Sequence, residues 1–291
     1  MAGYEDLYWW STDGIRLHAR DWAGDPARPP LICLPGLTRN ARDYDALAAR
    51  LAPAWRVIAV DFRGRGESGY AKDPLSYVPL SYVQDLEALL AAQGIERFVA
   101  VGTSLGGIVA TLVAGLTPGR IVGALLNDVG PEIEAAGLAR IRGYVGRGST
   151  EPTWLHAARA LREAHGEAHP HWAIEDWLAM AKRVYRLNSA GRIVLDYDLK
   201  IAEPFRVPAA AEPAPDLWPA YRALDAAPVL VVRGARSDVL SAEVAARMAR
   251  ELPRVELVTV AGMGHAPTLD EPEVVAALDR MLGKVAEPAA G

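Results

Sequence analysis

The pentapeptide Gly102, Thr103, Ser104, Leu105, Gly106 joins two segments of different character. Residues 97–101 (R-F-V-A-V) form a short apolar run suited to a buried strand, and residues 107–116 (G-I-V-A-T-L-V-A-G-L) carry on as a helix. A serine on such a turn must take a strained backbone conformation, and the flanking glycines leave free the space that side chains would fill. Its hydroxyl is then lifted clear of the backbone over the positive end of the following helix. A hydroxyl is a weak nucleophile until a base accepts its proton, and the base needs a third group to fix its tautomer and stabilise its charge. His265, in A-G-M-G-H-A-P past the apolar run 255–260, fits the base, and Asp238, in R-G-A-R-S-D past the run 229–232, fits the acid. All three lie beyond the carboxyl ends of expected strands, the edge where open α/β sheets build their sites, in the order Ser, Asp, His.

The rest of the chain supplies the frame for these groups. Residues 7–11 and 15–22 alternate in polarity around Asp13-Gly14, as in a hairpin. Apolar runs at 31–34, 57–60, 98–101 and 121–126 then alternate with helical patterns at 41–51, 81–92 and 105–116. Short apolar strands separated by helices pair in parallel and are covered on both faces. The rhythm stops after Asp128. Residues 131–222 read as helical and irregular, without a good strand, and the alternation resumes with a strand at 229–232, a helix at 242–252, a strand at 255–260 and a helix at 273–285. A helical block between two sheet strands is expected to form a cap over the strand ends, and the tail A-E-P-A-A-G is expected to fray.

With 291 residues, 51% of them hydrophobic and 23% charged, the chain has the composition of a globular domain rather than a disordered one. A formal charge of −5 gives no broad positive field for nucleic acid. The single cysteine, Cys33, sits in an apolar run and excludes an intramolecular disulfide. No run of roughly 20 apolar residues and no basic-then-apolar leader is visible, so no membrane partner and a cytoplasmic location are expected, and the partner expected of the serine chemistry above is a small-molecule substrate. Nothing in the sequence fixes an oligomeric state.

Together these features make the chain resemble the α/β-hydrolase family over nearly its whole length. Besides G-T-S-L-G-G, the stretch D-F-R-G-R-G-E-S at 61–68 is similar to the family's glycine-rich turn after its fourth strand, and L-P-G-L-T at 34–38 is similar to its oxyanion loop, with Pro35 where the family usually has histidine. The resemblance implies a mostly parallel eight-stranded sheet with helices on both faces, a core of residues 1–130 and 223–291, and an inserted helical cap of residues 131–222. It also implies an oxyanion hole from the backbone N–H groups of Leu37 and Leu105. Some members of the fold carry the acid after the preceding strand, which makes Asp128 the alternative to Asp238, the preferred residue. The expected activity is cofactor-free hydrolysis of a small or medium carboxylic ester or lactone through an acyl-enzyme. The alternatives are carbon-carbon bond hydrolysis of a diketone or ring-cleavage product and a non-catalytic ligand-binding relative. A serine nucleophile argues against the dehalogenase and epoxide hydrolase chemistries of the superfamily, which use a carboxylate.

Two other patterns fit a structural origin better than a ligand site. Gly64, Gly66 and Gly69 form G-x-G-x-x-G, but residues 70–74 hold a proline and no helix to receive a pyrophosphate. His165, His169 and His171, with Glu167, suggest a metal, yet Gly166 and Pro170 break the helix that would align them. The cap aromatics Trp154, Trp172, Trp177, Tyr185, Tyr197 and Trp218 are candidates for pocket lining, and Arg39, Arg63 and Arg65 for binding a substrate carboxylate.

Overall fold

The computed structural model describes residues 3–207 and 215–286. The chain opens with β1 (Glu5–Trp10) and β2 (Arg16–Trp22), followed by β3 (Leu31–Leu34), α1 (Asp45–Leu51), β4 (Val57–Asp61), α2 (Pro79–Ala92), β5 (Phe98–Thr103), α3 (Leu105–Leu116) and β6 (Ile121–Asn127). Next come α4 (Ala135–Tyr144), β7 (Thr150–Glu151), α5 (Trp154–His165), α6 (Ile174–Val184), β8 (Tyr185–Leu187), β9 (Ile193–Leu195), α7 (Glu203–Arg206) and α8 (Trp218–Arg222). The chain returns to the sheet with β10 (Val229–Gly234), α9 (Ala242–Glu251), β11 (Val255–Val260) and α10 (Pro272–Ala286). Residues 287–291 of the tail expected to fray lie outside the described residues.

The main sheet has eight strands in the order β1-β2-β4-β3-β5-β6-β10-β11. Only the pairs involving β2 are antiparallel; from β4 to β11 every pair is parallel. Alternation along each strand divides the core. In β5, Phe98 and Ala100 face the layer built from α2, α3 and α9, while Val99 and Val101 face α1 and α10. Strands buried on both faces need near-continuous apolar sequence, which the runs at 31–34, 57–60 and 98–101 supply.

The segment between β6 and β10 is mainly helical but contains a small antiparallel sheet, β7-β9-β8, which sequence reasoning did not anticipate. These strands are two or three residues long, too short for an alternating pattern to register. Around Trp177 this segment has an apolar cluster of its own, with Ala157, Leu161, Ala181, Tyr185 and Ile193. No described helix is long and apolar enough to cross a membrane.

Candidate active site

Ser104 is the first residue beyond β5 and Asp128 the first beyond β6, and the last residues of those strands, Thr103 and Asn127, are register partners. The parallel pairing therefore sets the two side by side at one sheet edge. Ser104 has φ 52 and ψ −116, a left-handed conformation costly for any residue with a Cβ. It is held by its N–H, which donates to the Asn127 carbonyl at 2.9 Å, and by the α3 amides of Gly107 and Ile108, which donate to its own carbonyl. Gly106 makes the turn possible, because a Cβ there would overlap the Leu34 carbonyl.

His265 follows β11, and its loop is pinned from two sides. Asn127 Nδ2 donates to the Pro267 carbonyl at 2.9 Å, and the Gly264 N–H donates to the Ala168 carbonyl at 2.7 Å. The His265 Nε2 atom lies 2.9 Å from Ser104 Oγ, and its Nδ1 lies 2.7 Å from Asp128 Oδ2. Asp128 is fully buried, and its carboxylate also accepts from the Gly234 N–H at 2.9 Å and from the Ser237 hydroxyl at 2.6 Å. A buried carboxylate with these three partners is fixed in place and acts at close range on the imidazole.

Asp238, the acid preferred on sequence grounds, does not reach His265. It forms a two-pronged pair with Arg140 of α4, at 2.5 and 2.8 Å, and that hydrogen bonding holds its carboxyl below the usual range against the opposing effect of partial burial. The physical reason is an offset along the chain. Asp238 lies four residues past the end of β10, and in that loop it is Ser237 that turns inward to Asp128. A usable signal was present in the sequence: Asp128 follows its strand directly, at the same depth as Ser104.

The loop after β3 lies against Ser104, since a Cβ built on Gly36 would stand 3.8 Å from Ser104 Cβ. Arg65 is fully buried, and its Nε donates to the Leu37 carbonyl at 2.9 Å. Among the described residues, neither the Leu37 nor the Leu105 N–H is taken up by a backbone acceptor in the adjoining turns. The glycine-rich turn after β4 is packed around the Asp61 carboxylate, which accepts the N–H groups of Ala41 and Glu67 and meets His18 Nδ1 at 2.7 Å. The turn is filled from within and runs into no helix N-terminus, so its G-x-G-x-x-G spacing has a structural origin.

A cleft of about 150 Å³ opens above Ser104 and His265, with Tyr144, Trp172, Met180 and Arg183 among its walls. Of the six cap aromatics, Trp172 reaches it. Trp154, Trp177 and Tyr185 pack the inserted segment onto itself, and Tyr197 and Trp218 join the main core. His165 and His169 also line the cleft; burial, with nearby positive charge, pushes both down to about 4, so both are neutral at pH 7. Among the described residues no group of three or more His, Cys, Asp or Glu side chains is arranged to hold a metal ion. Arg63 faces away from the cleft and pairs with Asp85 and Asp13, whereas Arg39 lines it but is held by Asp43. Arg183, which sequence reasoning passed over, carries no motif that could have marked it.

Comparison with known proteins agrees with this architecture. The sequence profile of the alpha/beta hydrolase family matches residues 31–278. The chain is 37% identical over 270 residues to the 3-hydroxybutyrate-oligomer hydrolase of Cupriavidus necator, covering 90% of each protein. It is 28% identical over 260 residues to the 2-(acetamidomethylene)succinate hydrolase of Mesorhizobium japonicum, covering 89% of this chain and 88% of that one. The crystal structure of an alpha/beta hydrolase from Novosphingobium aromaticivorans superposes with a TM-score of 0.93 at 60% identity, over 98% of this chain and 99% of the other. With fold, family profile and full-length relatives in agreement, the chain belongs to the α/β hydrolase family, and it is a hydrolase of that family.

Proposed function

We propose that the protein hydrolyses carboxylic esters of short hydroxy or simple acids through an acyl-enzyme on Ser104. The observation that carries this reading is the unbroken line from Ser104 Oγ through both nitrogens of His265 to the buried carboxylate of Asp128. His265 Nε2 takes the Ser104 proton as Oγ attacks the ester carbonyl. The resulting imidazolium is stabilised and kept in orientation by Asp128. The N–H groups of Leu37 and Leu105 are the donors for the oxyanion, in a site where each such donor is worth roughly 10²- to 10³-fold in rate. His265 then protonates the departing alcohol, and afterwards activates the water that cleaves the acyl-enzyme.

Each step uses groups of the chain and water. Residues 131–222 serve as the cap in this reading, closing one side of the cleft, and its modest volume suits a short acyl group. The 3-hydroxybutyrate-oligomer hydrolase resembled over 90% of the chain acts on a compound whose units are joined by ester bonds, which supports the same bond class here.

Rapid mixing with p-nitrophenyl butyrate tests the proposal. A burst of p-nitrophenol and a mass increase of one butyryl group on the peptide carrying Ser104 are expected. Steady turnover with neither burst nor label in wild type, together with undiminished turnover by Ser104→Ala, would rule out the assigned nucleophile.

A further inference from the structure

Three guanidinium groups line the cleft, and they differ in one respect. Arg39 is held by Asp43 and Arg140 by Asp238, each through two hydrogen bonds. Arg183 forms no ion pair among the described residues, and its Nε is buried without a hydrogen-bond partner. Asp270 feels the Arg183 charge, but burial acts more strongly on its carboxyl and holds it above the usual carboxylate range. Arg183 is also firmly placed: its carbonyl accepts from Asn40 Nδ2 at 2.8 Å and from Arg42 Nη2 at 2.8 Å, which ties the end of α6 to the loop beside Ser104.

A second orphan lines the same cleft. His169 is only 5% exposed and stacks on Trp172 with ring centroids 4.0 Å apart, and its Nδ1 is buried without a partner. An acceptor bound in the cleft between these two side chains gives the unpaired Arg183 guanidinium a partner, and it also takes the His169 N–H in the tautomer that directs that proton toward it. A carboxylate offers two oxygens to a guanidinium and a neighbouring imidazole, and charge-assisted bonds of this type are the strong ones.

We infer that Arg183, assisted by His169, binds a free carboxylate on the substrate, so that the preferred substrates are short esters ending in a carboxylate close to the scissile bond. This rests on the ester-hydrolase reading of Ser104, His265 and Asp128 and adds to it which esters are chosen. Linear oligomers of a 3-hydroxy acid have this form: cleavage of the dimer breaks the bond between the acyl carbon and the alkoxide oxygen, passes the acyl group to Ser104, and releases a hydroxy acid that keeps the carboxylate.

The test compares kcat/KM for the linear dimer of 3-hydroxybutyrate with that for the same dimer bearing a terminal primary amide, with p-nitrophenyl butyrate as a neutral ester reporting on the chemistry alone. Wild type is expected to favour the acid by about ten- to a hundredfold, the range of one charged hydrogen bond. Arg183→Met collapses that ratio toward one, Arg183→Lys keeps part of it, and Arg159→Met, an exposed position on α5, leaves it at the wild-type value. Equal kcat/KM for acid and amide in wild type overturns the inference, as does a preference that survives in Arg183→Met. Should Arg183→Met not fold, the wild-type comparison and Arg183→Lys decide. Absence of turnover and of acyl-enzyme with all three compounds would instead bring down the ester-hydrolase reading, and this inference with it.

Discussion

The sheet edge and the segment that covers it treat their polar groups in opposite ways. At the sheet edge Asp128, Asn127, Ser237 and His265 are bound into one network, and the Asp128 carboxylate has three partners. On the covering side, Arg183 and His169 line the cleft, and Arg183 Nε and His169 Nδ1 are buried without a hydrogen-bond partner among the described residues. The histidines repeat the contrast. His18, in the core, is buried between Asp61 and Asp6; burial pulls its pKa down, but the two carboxylates more than offset this and raise it. Among the described residues His165 and His169 have no such partners, and burial pushes them down. The core thus fixes the line from Ser104 through His265 to Asp128, while the inserted segment leaves polar groups without partners, the groups that the proposal assigns to a ligand.

The contrast breaks most visibly at the two acids. Ser104→Ala is expected to lower kcat by about 10⁵- to 10⁶-fold, and Asp128→Asn by about 10⁴-fold, because the asparagine favours the wrong imidazole tautomer. Asp238→Asn disturbs only the Arg140 pair at the rim, and its kcat should stay within about tenfold of wild type. Steady-state kinetics on p-nitrophenyl butyrate check all three, and a large loss in Asp238→Asn would erase the distinction drawn between the acids.

A smaller effect is expected from the cleft histidines as pH falls. His165 and His169 take up protons near 6.5 when unfolded but only near 4 when folded, so between those values the unfolded chain binds more protons. Stability is therefore lost as pH falls from 6.5 through about 4, and His165→Gln with His169→Gln should flatten that slope in Tm. Amide exchange should locate the loss in residues 135–184 before β5 or β10, because the inserted segment has its own small core.

The smallest effect runs the other way. With its folded pKa raised, His18 contributes stability that is fully present below 6.5 and is lost as pH rises through the folded value. His18→Gln should remove this part of the Tm decline on the alkaline side without touching the acid side. A Tm profile identical to wild type above pH 6.5 would show that His18 adds nothing to the core's pH response.

Much of this arrangement was visible in the sequence because it depends on local pattern. Buried parallel strands are continuous apolar runs, and the positions of β3, α3 and β11 follow from them to within a residue. Ser104 and His265 were legible because each sits on a glycine-flanked turn at a strand end. The choice between Asp128 and Asp238 was not, since both follow strands that reach the same edge, and what separates them is how far each lies beyond its strand and which way the intervening loop turns. Arg183 went unread, and His169 was read only as part of a metal-like cluster, for a deeper reason. What marks them is a missing partner, and partners such as Asp43 for Arg39 or Asp238 for Arg140 are assigned by folding across up to 98 positions.

The most direct measurement is the rate of covalent labelling by a fluorophosphonate in wild type, Ser104→Ala, Asp128→Asn and Asp238→Asn. Fast labelling of wild type and Asp238→Asn is expected, with Asp128→Asn slowed by several orders of magnitude and Ser104→Ala unlabelled. Equal labelling of Ser104→Ala and wild type, or a slow Asp238→Asn beside a fast Asp128→Asn, would contradict the catalytic line from Ser104 through His265 to Asp128.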